Sequence, residues 1–119
     1  MKTILIVEDE DTLRQSLVSK VQSSGYVALQ AEDGEMGYRI LQNNPNVDMI
    51  LLDLIMPNMD GQTFVYQVNT MLKRDIPIII LTNKEQAAYQ SSVVKYLVKA
   101  NTSLDMIINE IKTVIGEAK

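Results

Sequence analysis

Acidic residues follow two apolar segments of this sequence at the points where those segments end. The acidic run 8–11 (Glu-Asp-Glu-Asp) comes directly after the apolar run 4–7, and Asp53 comes directly after the apolar run 49–52. Carboxylates held close together repel one another, and they stay ionised together only when a cation is near. An all-oxygen set of ligands favours a hard divalent ion. We therefore predict a site for Mg²⁺, or alternatively Mn²⁺, that includes Asp9 and Asp53.

Thr82 and Lys99 follow two further apolar segments in the same way. The lysine supplies a positive charge for an anionic oxygen, and the threonine hydroxyl supplies a neutral donor. With Asp9 and Asp53 they describe a site for a phosphoryl group, with the metal on one side and the lysine and threonine on the other. Each residue alone has an ordinary structural explanation. The run 8–11 is also typical of a helix N-terminus. Asp53 is also typical of a loop or a helix cap, and Thr82 of a turn or an N-cap. Lys99 alone is typical of a solvated surface.

The elements that must position these residues are short strands alternating with helices. The predicted strands cover 3–7, 27–31, 48–52, 77–81 and 94–98. Several of these runs are apolar at every position, which is typical of a parallel sheet covered by helices on both faces. The alternation predicts one α/β domain over residues 1–119, a doubly wound, flavodoxin-like (βα)₅ fold with strand order 2-1-3-4-5. Such folds bind ligands at the carboxyl ends of their strands, where the candidate residues lie.

Apolar residues at helical spacing mark the predicted helices between the strands. The stripes are Leu13, Leu17 and Val21 in the first helix, Met36, Ile40 and Leu41 in the second, Phe64, Val68, Met71 and Leu72 in the third, and Leu104, Ile107, Ile108, Ile111, Val114 and Ile115 in the last. Gly25 is placed to end the first helix, and Gly116 the last. Thr102 or Ser103 is placed to cap the start of the last helix.

Composition excludes several classes of function. The chain has no cysteine and no histidine, which removes disulfides, thiolate and imidazole metal sites, and histidine acid–base chemistry. The net charge is −4 without a basic cluster, so we expect no direct binding of nucleic acid. The first apolar run is too short for a signal peptide or a membrane span, and we expect a cytoplasmic protein with no membrane association.

With these motifs placed, the chain resembles the response-regulator receiver domain over residues 2–115. The matching segments are ILIVEDE at 4–10, LLDLIMPNMDG at 51–61, ILT at 80–82 and YLVK at 96–99. The second segment is highly specific, because it joins the acceptor aspartate to the proline and the Asp-Gly turn at the offsets usual in the family.

The resemblance implies a role for each matching residue. Asp53 is the phospho-acceptor nucleophile. Asp9 and Asp53 coordinate Mg²⁺ with the backbone carbonyl of Ile55, and Glu8 contributes mostly through water. Lys99 pairs with a phosphoryl oxygen.

Thr82 hydrogen-bonds another phosphoryl oxygen, and Tyr96 is the aromatic switch residue that follows its movement. The implied function is a phosphorylation-driven switch in two-component signalling. It is not a dedicated enzyme and has at most weak autophosphatase activity. The implied partners are a sensor histidine kinase or a phosphotransfer protein, and a downstream protein target or fused output domain.

The sequence departs from the family pattern at several points. Glu8 replaces the commoner aspartate, Asn83 follows Thr82 where a smaller residue is usual, and Ala100 stands where proline usually follows the lysine. Ser92-Val93 replaces the usual Gly-Ala. Thr82 and Lys99 are 17 positions apart, fewer than is usual, so we predict a shortened fourth helix near 85–91. The phosphoryl chemistry is thus expected to be intact and the output surface altered.

Other functions fit the sequence less well. The shortened helix and Ala100 favour a receiver-shaped interaction module that is never phosphorylated. The presence of all four site residues, Asp9, Asp53, Thr82 and Lys99, argues against it. A haloacid-dehalogenase-type phosphatase needs a second aspartate two residues after the first, where this chain has Ile55. A flavodoxin-like redox role lacks a phosphate loop after the first strand, and a P-loop role lacks the Gly-rich Lys-Ser/Thr motif.

Overall fold

A parallel sheet forms the centre of the molecule. The computed structural model describes residues 1–53, 59, 61–82 and 93–117, with the backbone alone at Ala100. Its elements are β1 (Thr3–Val7), α1 (Asp11–Ser23), β2 (Val27–Ala31), α2 (Gly34–Asn43), β3 (Val47–Leu52), α3 (Gly61–Thr70), β4 (Ile78–Thr82), β5 (Val93–Val98), a 3₁₀ turn (Lys99–Asn101) and α4 (Leu104–Ile115). All five strands are parallel and lie in the order β2-β1-β3-β4-β5. This confirms the predicted doubly wound architecture.

Two apolar clusters cover the two faces of the sheet. Alternate residues of β1 point to opposite faces, so Ile4 and Ile6 join one cluster while Leu5 and Val7 join the other. The first cluster lies against α1 and α4, and the second lies against α2 and α3. Both faces are therefore buried, which explains why β1, β3 and β4 are apolar at nearly every position.

The predicted strand boundaries are confirmed to within one residue. β1 and β2 coincide with the predictions, and β3 and β5 each begin one residue earlier than predicted. β4 begins at Ile78 and extends through Thr82. Pro77 precedes this strand because proline has no N–H for the ladder, although its carbonyl still accepts a hydrogen bond from the Ile50 N–H at 3.0 Å.

The predicted helix ends are also found at the first and last helices. Gly25 follows α1 with φ of 96°, and Gly116 follows α4 with φ of 83°, a region of backbone conformation that glycine adopts without strain. The Ser103 hydroxyl accepts a hydrogen bond from the Met106 N–H and so caps the start of α4.

The predicted burial of two side chains, Met36 and Met71, is wrong. Met36 was expected to face the core from α2, but its side chain is 41% exposed. Gly37 takes that face instead, since a Cβ at this position would lie 3.0 Å from a methyl group of Val7 and 3.1 Å from the ring of Phe64. Met71 was expected in the stripe of α3, but the helix ends at Thr70 and the methionine side chain is exposed.

The predicted short helix near 85–91 and Asn83 lie outside the described residues, as does Ile55. After β5 the chain continues into the 3₁₀ turn Lys99–Asn101, and every peptide bond in the described segments is trans. Within those segments, no helix has the length and apolar character needed to cross a membrane.

Candidate functional site

The carboxyl ends of three strands bring the acidic residues and the lysine to one edge of the sheet. Val7, the last residue of β1, pairs with Leu52, the last residue of β3. The residues that follow are therefore neighbours, and the Asp53 N–H donates to the Val7 carbonyl at 3.0 Å. Lys99 enters from β5, directly after Val98. The predicted convergence at this edge is thus observed.

Three carboxylates form a compact group at this edge. Glu8, Asp9 and Asp53 each offer one carboxylate oxygen, and these three atoms all lie within 4.8 Å of one another. Glu8 and Asp53 are buried, whereas Asp9 is exposed. Two of the three negative charges are therefore held away from water, and one remains accessible from solvent.

The Lys99 ammonium lies between the two buried carboxylates. Its Nζ is 2.9 Å from Glu8 Oε1 and 3.4 Å from Asp53 Oδ2, and the lysine side chain is only 16% exposed. The alternative of a solvated surface lysine is therefore wrong for Lys99. In this arrangement its positive charge offsets part of the repulsion within the acidic group.

The pKa of Glu8 reflects this balance of charges. Burial raises the pKa of the Glu8 carboxyl and the nearby Asp53 charge raises it further. The Lys99 ammonium and the Glu10 N–H act in the opposite direction without cancelling the rise. Burial alone would lower the pKa of Lys99, but its hydrogen bond and charge attraction to Glu8, with the charge of Asp53, raise it overall.

Glu8 is held by its backbone as well as by its side chain. Its N–H donates to the Ala31 carbonyl at 3.0 Å, which continues the β1–β2 ladder by one residue. Its Oε2 accepts a hydrogen bond from the Glu10 N–H at 3.0 Å. Its carbonyl accepts a hydrogen bond from Arg14 Nη1 at 2.9 Å. These contacts fix the position from which the Glu8 carboxylate reaches into the site.

Thr82 and Tyr96 lie on the same face of the sheet. Thr82 is buried at the end of β4, two residues beyond Ile80, which pairs with both Leu52 and Tyr96. Because side chains alternate along a strand, Thr82, Ile80 and Tyr96 face the same side. Tyr96 is partly buried and packs against the apolar cluster on that side. The two residues predicted to form a switch are therefore neighbours on adjacent strands.

The donor set fits a hard divalent cation. The three carboxylates supply only oxygen ligands, and they lie close enough together for one ion to contact all three. Asp9, Asp53 and Glu8 are the described residues that would hold the ion. The Ile55 carbonyl, the remaining predicted ligand, lies outside the described residues.

Arg14 is the residue at this edge that sequence analysis missed. It was missed because its acceptors lie on three separate segments of the chain, and one of them is a backbone carbonyl. One signal was present: an arginine in the first turn of a helix opposes the macrodipole and therefore calls for another explanation.

Comparison with known proteins identifies the class of protein. Residues 4–112 match the family model for the response regulator receiver domain. The chain belongs to this family, whose members are modules of two-component signalling. Receiver domains in these systems interact with histidine kinases and with output domains.

Individual relatives agree with this assignment. The transcriptional regulatory protein SrrA of Staphylococcus aureus is 33% identical over 112 residues, which cover 88% of this chain and 44% of that protein. The chain thus spans less than half the length of this curated relative. The response regulator TrrA of Thermotoga maritima, solved in complex with Mg²⁺ and BeF, is 30% identical with a TM-score of 0.83, covering 96% of this chain and 99% of that one. The chemotaxis protein CheY4 of Vibrio cholerae is 26% identical with a TM-score of 0.85, covering 96% and 98% of the two chains.

Proposed function

We propose that this chain accepts a phosphoryl group on Asp53 from a histidine kinase or a phosphotransfer protein. A carboxylate oxygen of Asp53 attacks the phosphorus of a phosphohistidine, so that an O–P bond forms as the P–N bond breaks. The electron pair of the broken bond returns to the imidazole nitrogen of the donor. The product is an acyl phosphate on Asp53, and hydrolysis of that bond by water resets the domain.

One observation carries this proposal. The buried Asp53 carboxylate lies 3.4 Å from the Lys99 ammonium and shares its site with the carboxylates of Glu8 and Asp9. Bound Mg²⁺ would neutralise the carboxylates and the charge that develops on the transferring phosphoryl oxygens. Lys99, whose ammonium already lies beside Asp53, would pair with a phosphoryl oxygen once the acceptor has reacted. Mg²⁺ would be held by Asp9, Asp53 and Glu8, whose carboxylate oxygens lie together. The related TrrA was solved with Mg²⁺ and BeF, which supports the choice of ion by similarity.

The buried hydroxyl of Thr82 and the ring of Tyr96 form the proposed switch. Phosphorylation adds a local negative charge with new acceptor oxygens at the carboxyl edge of the sheet. We expect the Thr82 hydroxyl to donate to one of these oxygens, and Tyr96 on the neighbouring strand to repack as Thr82 moves. A two-state change of this kind would pass the signal to a downstream protein or to a fused output domain.

The test is phosphorylation by acetyl phosphate followed by intact mass. Wild-type protein should gain a single phosphoryl group in the presence of Mg²⁺ and none in the presence of EDTA. Asp53→Asn keeps the shape of the side chain without the nucleophile and should gain none in either condition. If wild-type protein with Mg²⁺ stays unmodified, and beryllofluoride leaves the Tyr96 NMR signals unchanged, the chain is instead a receiver-shaped docking module.

A further inference from the structure

Arg14 ties together three segments that surround the acidic site. Its Nη1 donates to the Glu8 carbonyl at 2.9 Å, its Nε donates to Gln30 Oε1 at 3.2 Å, and its Nη2 pairs with the Asp11 carboxylate. These acceptors lie after β1, on β2 and in the first turn of α1. The Arg14 side chain is only 11% exposed, so its guanidinium depends on these partners to replace water.

The Glu8 carbonyl is the contact through which Arg14 reaches the site. Glu8 is held on its N–H side by Ala31 and on its carbonyl side by Arg14. Asp9 is the next residue, and its own side chain is exposed. The direction in which the Asp9 carboxylate leaves the chain is therefore set by a peptide whose carbonyl Arg14 holds in place.

We propose that Arg14 is a positioning residue for the cation site, which fixes the peptide joining Glu8 to Asp9. This inference rests on the proposed function, because the cation is the one required for phosphorylation. Arg14 touches neither the ion nor the phosphoryl group. Loss of Arg14 should weaken cation binding by allowing the Glu8–Asp9 peptide to move. At saturating Mg²⁺, the rate of phosphoryl transfer should stay close to that of wild-type protein.

Arg14→Gln and Arg14→Lys test this together. Removing a partner that orients a metal ligand typically weakens metal affinity about tenfold or more. We expect roughly a tenfold rise in the Mg²⁺ dissociation constant for Arg14→Gln, measured by calorimetry and by Mn²⁺ titration with electron paramagnetic resonance. Arg14→Lys keeps the charge but lacks the planar guanidinium group. Its Mg²⁺ affinity should therefore fall nearly as far as that of Arg14→Gln.

Two further variants provide controls. Arg39→Gln removes the same charge from α2, where Arg39 is 72% exposed and pairs only with Glu35 among the described residues, and it should bind Mg²⁺ as wild-type protein does. Gln30→Ala removes one acceptor of Arg14 from an exposed position, and it should weaken binding in the same direction by a smaller factor. Gln30→Ala keeps the inference testable if Arg14→Gln does not fold.

The kinetics of phosphorylation distinguish a loss of Mg²⁺ affinity from a general loss of activity. With acetyl phosphate, Arg14→Gln should need about tenfold more Mg²⁺ for half-maximal phosphorylation, with a limiting rate within twofold of wild-type protein. Unchanged Mg²⁺ affinity in Arg14→Gln, or full affinity in Arg14→Lys, would overturn the positioning role while leaving the proposed function standing. Failure of wild-type protein itself to bind Mg²⁺ would overturn both.

Discussion

Replacing Lys99 with methionine should destabilise the metal-free protein by about 2–3 kcal/mol at neutral pH. The substitution keeps the length of the side chain and removes the ammonium that lies 2.9 Å from Glu8 and 3.4 Å from Asp53. The carboxylates of Glu8, Asp9 and Asp53 would then repel one another without the offsetting charge of that ammonium.

The magnitude follows from these distances. At an effective dielectric constant of about 20, the gross attractions of Lys99 to its two partners are roughly 5–6 kcal/mol each. Most of this is offset by the desolvation of the ammonium, and removal of one partner from a buried pair typically costs about 3–5 kcal/mol net. Because Asp9 is exposed and water reaches the edge of the site, we take a value below that range.

The destabilisation caused by Lys99→Met should depend on pH through the protonation of Glu8. The pKa of Glu8 in the folded protein is raised above its ordinary value of 4.5, so the folded state holds its proton more tightly than the unfolded state. The free energy of unfolding therefore falls as pH rises from about 4.5 through the raised pKa. In Lys99→Met the pKa of Glu8 rises further, so this fall extends to higher pH. The difference in free energy of unfolding between wild-type protein and Lys99→Met should thus be smallest near pH 4.5 and grow toward neutral pH.

Urea denaturation in EDTA, followed by far-ultraviolet circular dichroism between pH 4.5 and 8, measures the effect. Lys95→Met is the matched control, because Lys95 lies on β5, the strand that leads to Lys99, in a partly exposed 3.9 Å pair with Glu110. Loss of that pair should cost below about 0.5 kcal/mol. Adding Mg²⁺ should reduce the difference in stability between Lys99→Met and wild-type protein, since the ion replaces the ammonium as counter-charge. Equal stability of Lys99→Met and wild-type protein across this pH range would refute the electrostatic account.

Substitutions at three other positions test the packing and capping that stabilise the domain around the site. Tyr26→Phe removes the hydroxyl that donates to the Gly116 carbonyl at 2.8 Å, and should cost about 1 kcal/mol in the same urea assay. Gly37→Ala places a methyl group against the second apolar cluster and should lower stability by about 1–3 kcal/mol, seen as a lower thermal midpoint. Ser103→Ala removes the cap of α4 and should cost about 1 kcal/mol, whereas Ser103→Asp should retain most of the stability.

The sheet and the grouping of residues at the candidate site were predictable because both depend on strong local signals. Apolar runs marked β1, β3 and β4, and in a parallel sheet the residues directly after the strands lie at one edge. Asp53 and Lys99 required no knowledge of side-chain geometry to be placed near each other. The pairing of Lys99 with Glu8 could not be predicted in the same way, because it depends on the buried position of the glutamate.

The errors arose where the hydropathy of a residue did not indicate its packing. Met36 is apolar and lies at helical spacing, yet Gly37 packs against the sheet, where a Cβ would lie only 3.1 Å from the ring of Phe64. Glycine carries no hydropathy signal that would reveal this close packing. Arg14 was missed for a related reason, since a charged residue in the first turn of a helix is normally assigned to solvent.

The contacts of α4 with the start of the chain have a consequence for folding kinetics. Lys2 donates to the Ile115 carbonyl across 113 positions of sequence, and Tyr26 donates to the Gly116 carbonyl across 90. Closing a long loop costs more chain entropy than closing a short one, and we expect these two contacts to form late in folding. Tyr26→Phe should therefore speed unfolding and leave the refolding rate nearly unchanged. We therefore expect the docking of α4 to set the unfolding rate and the sheet to set the folding rate.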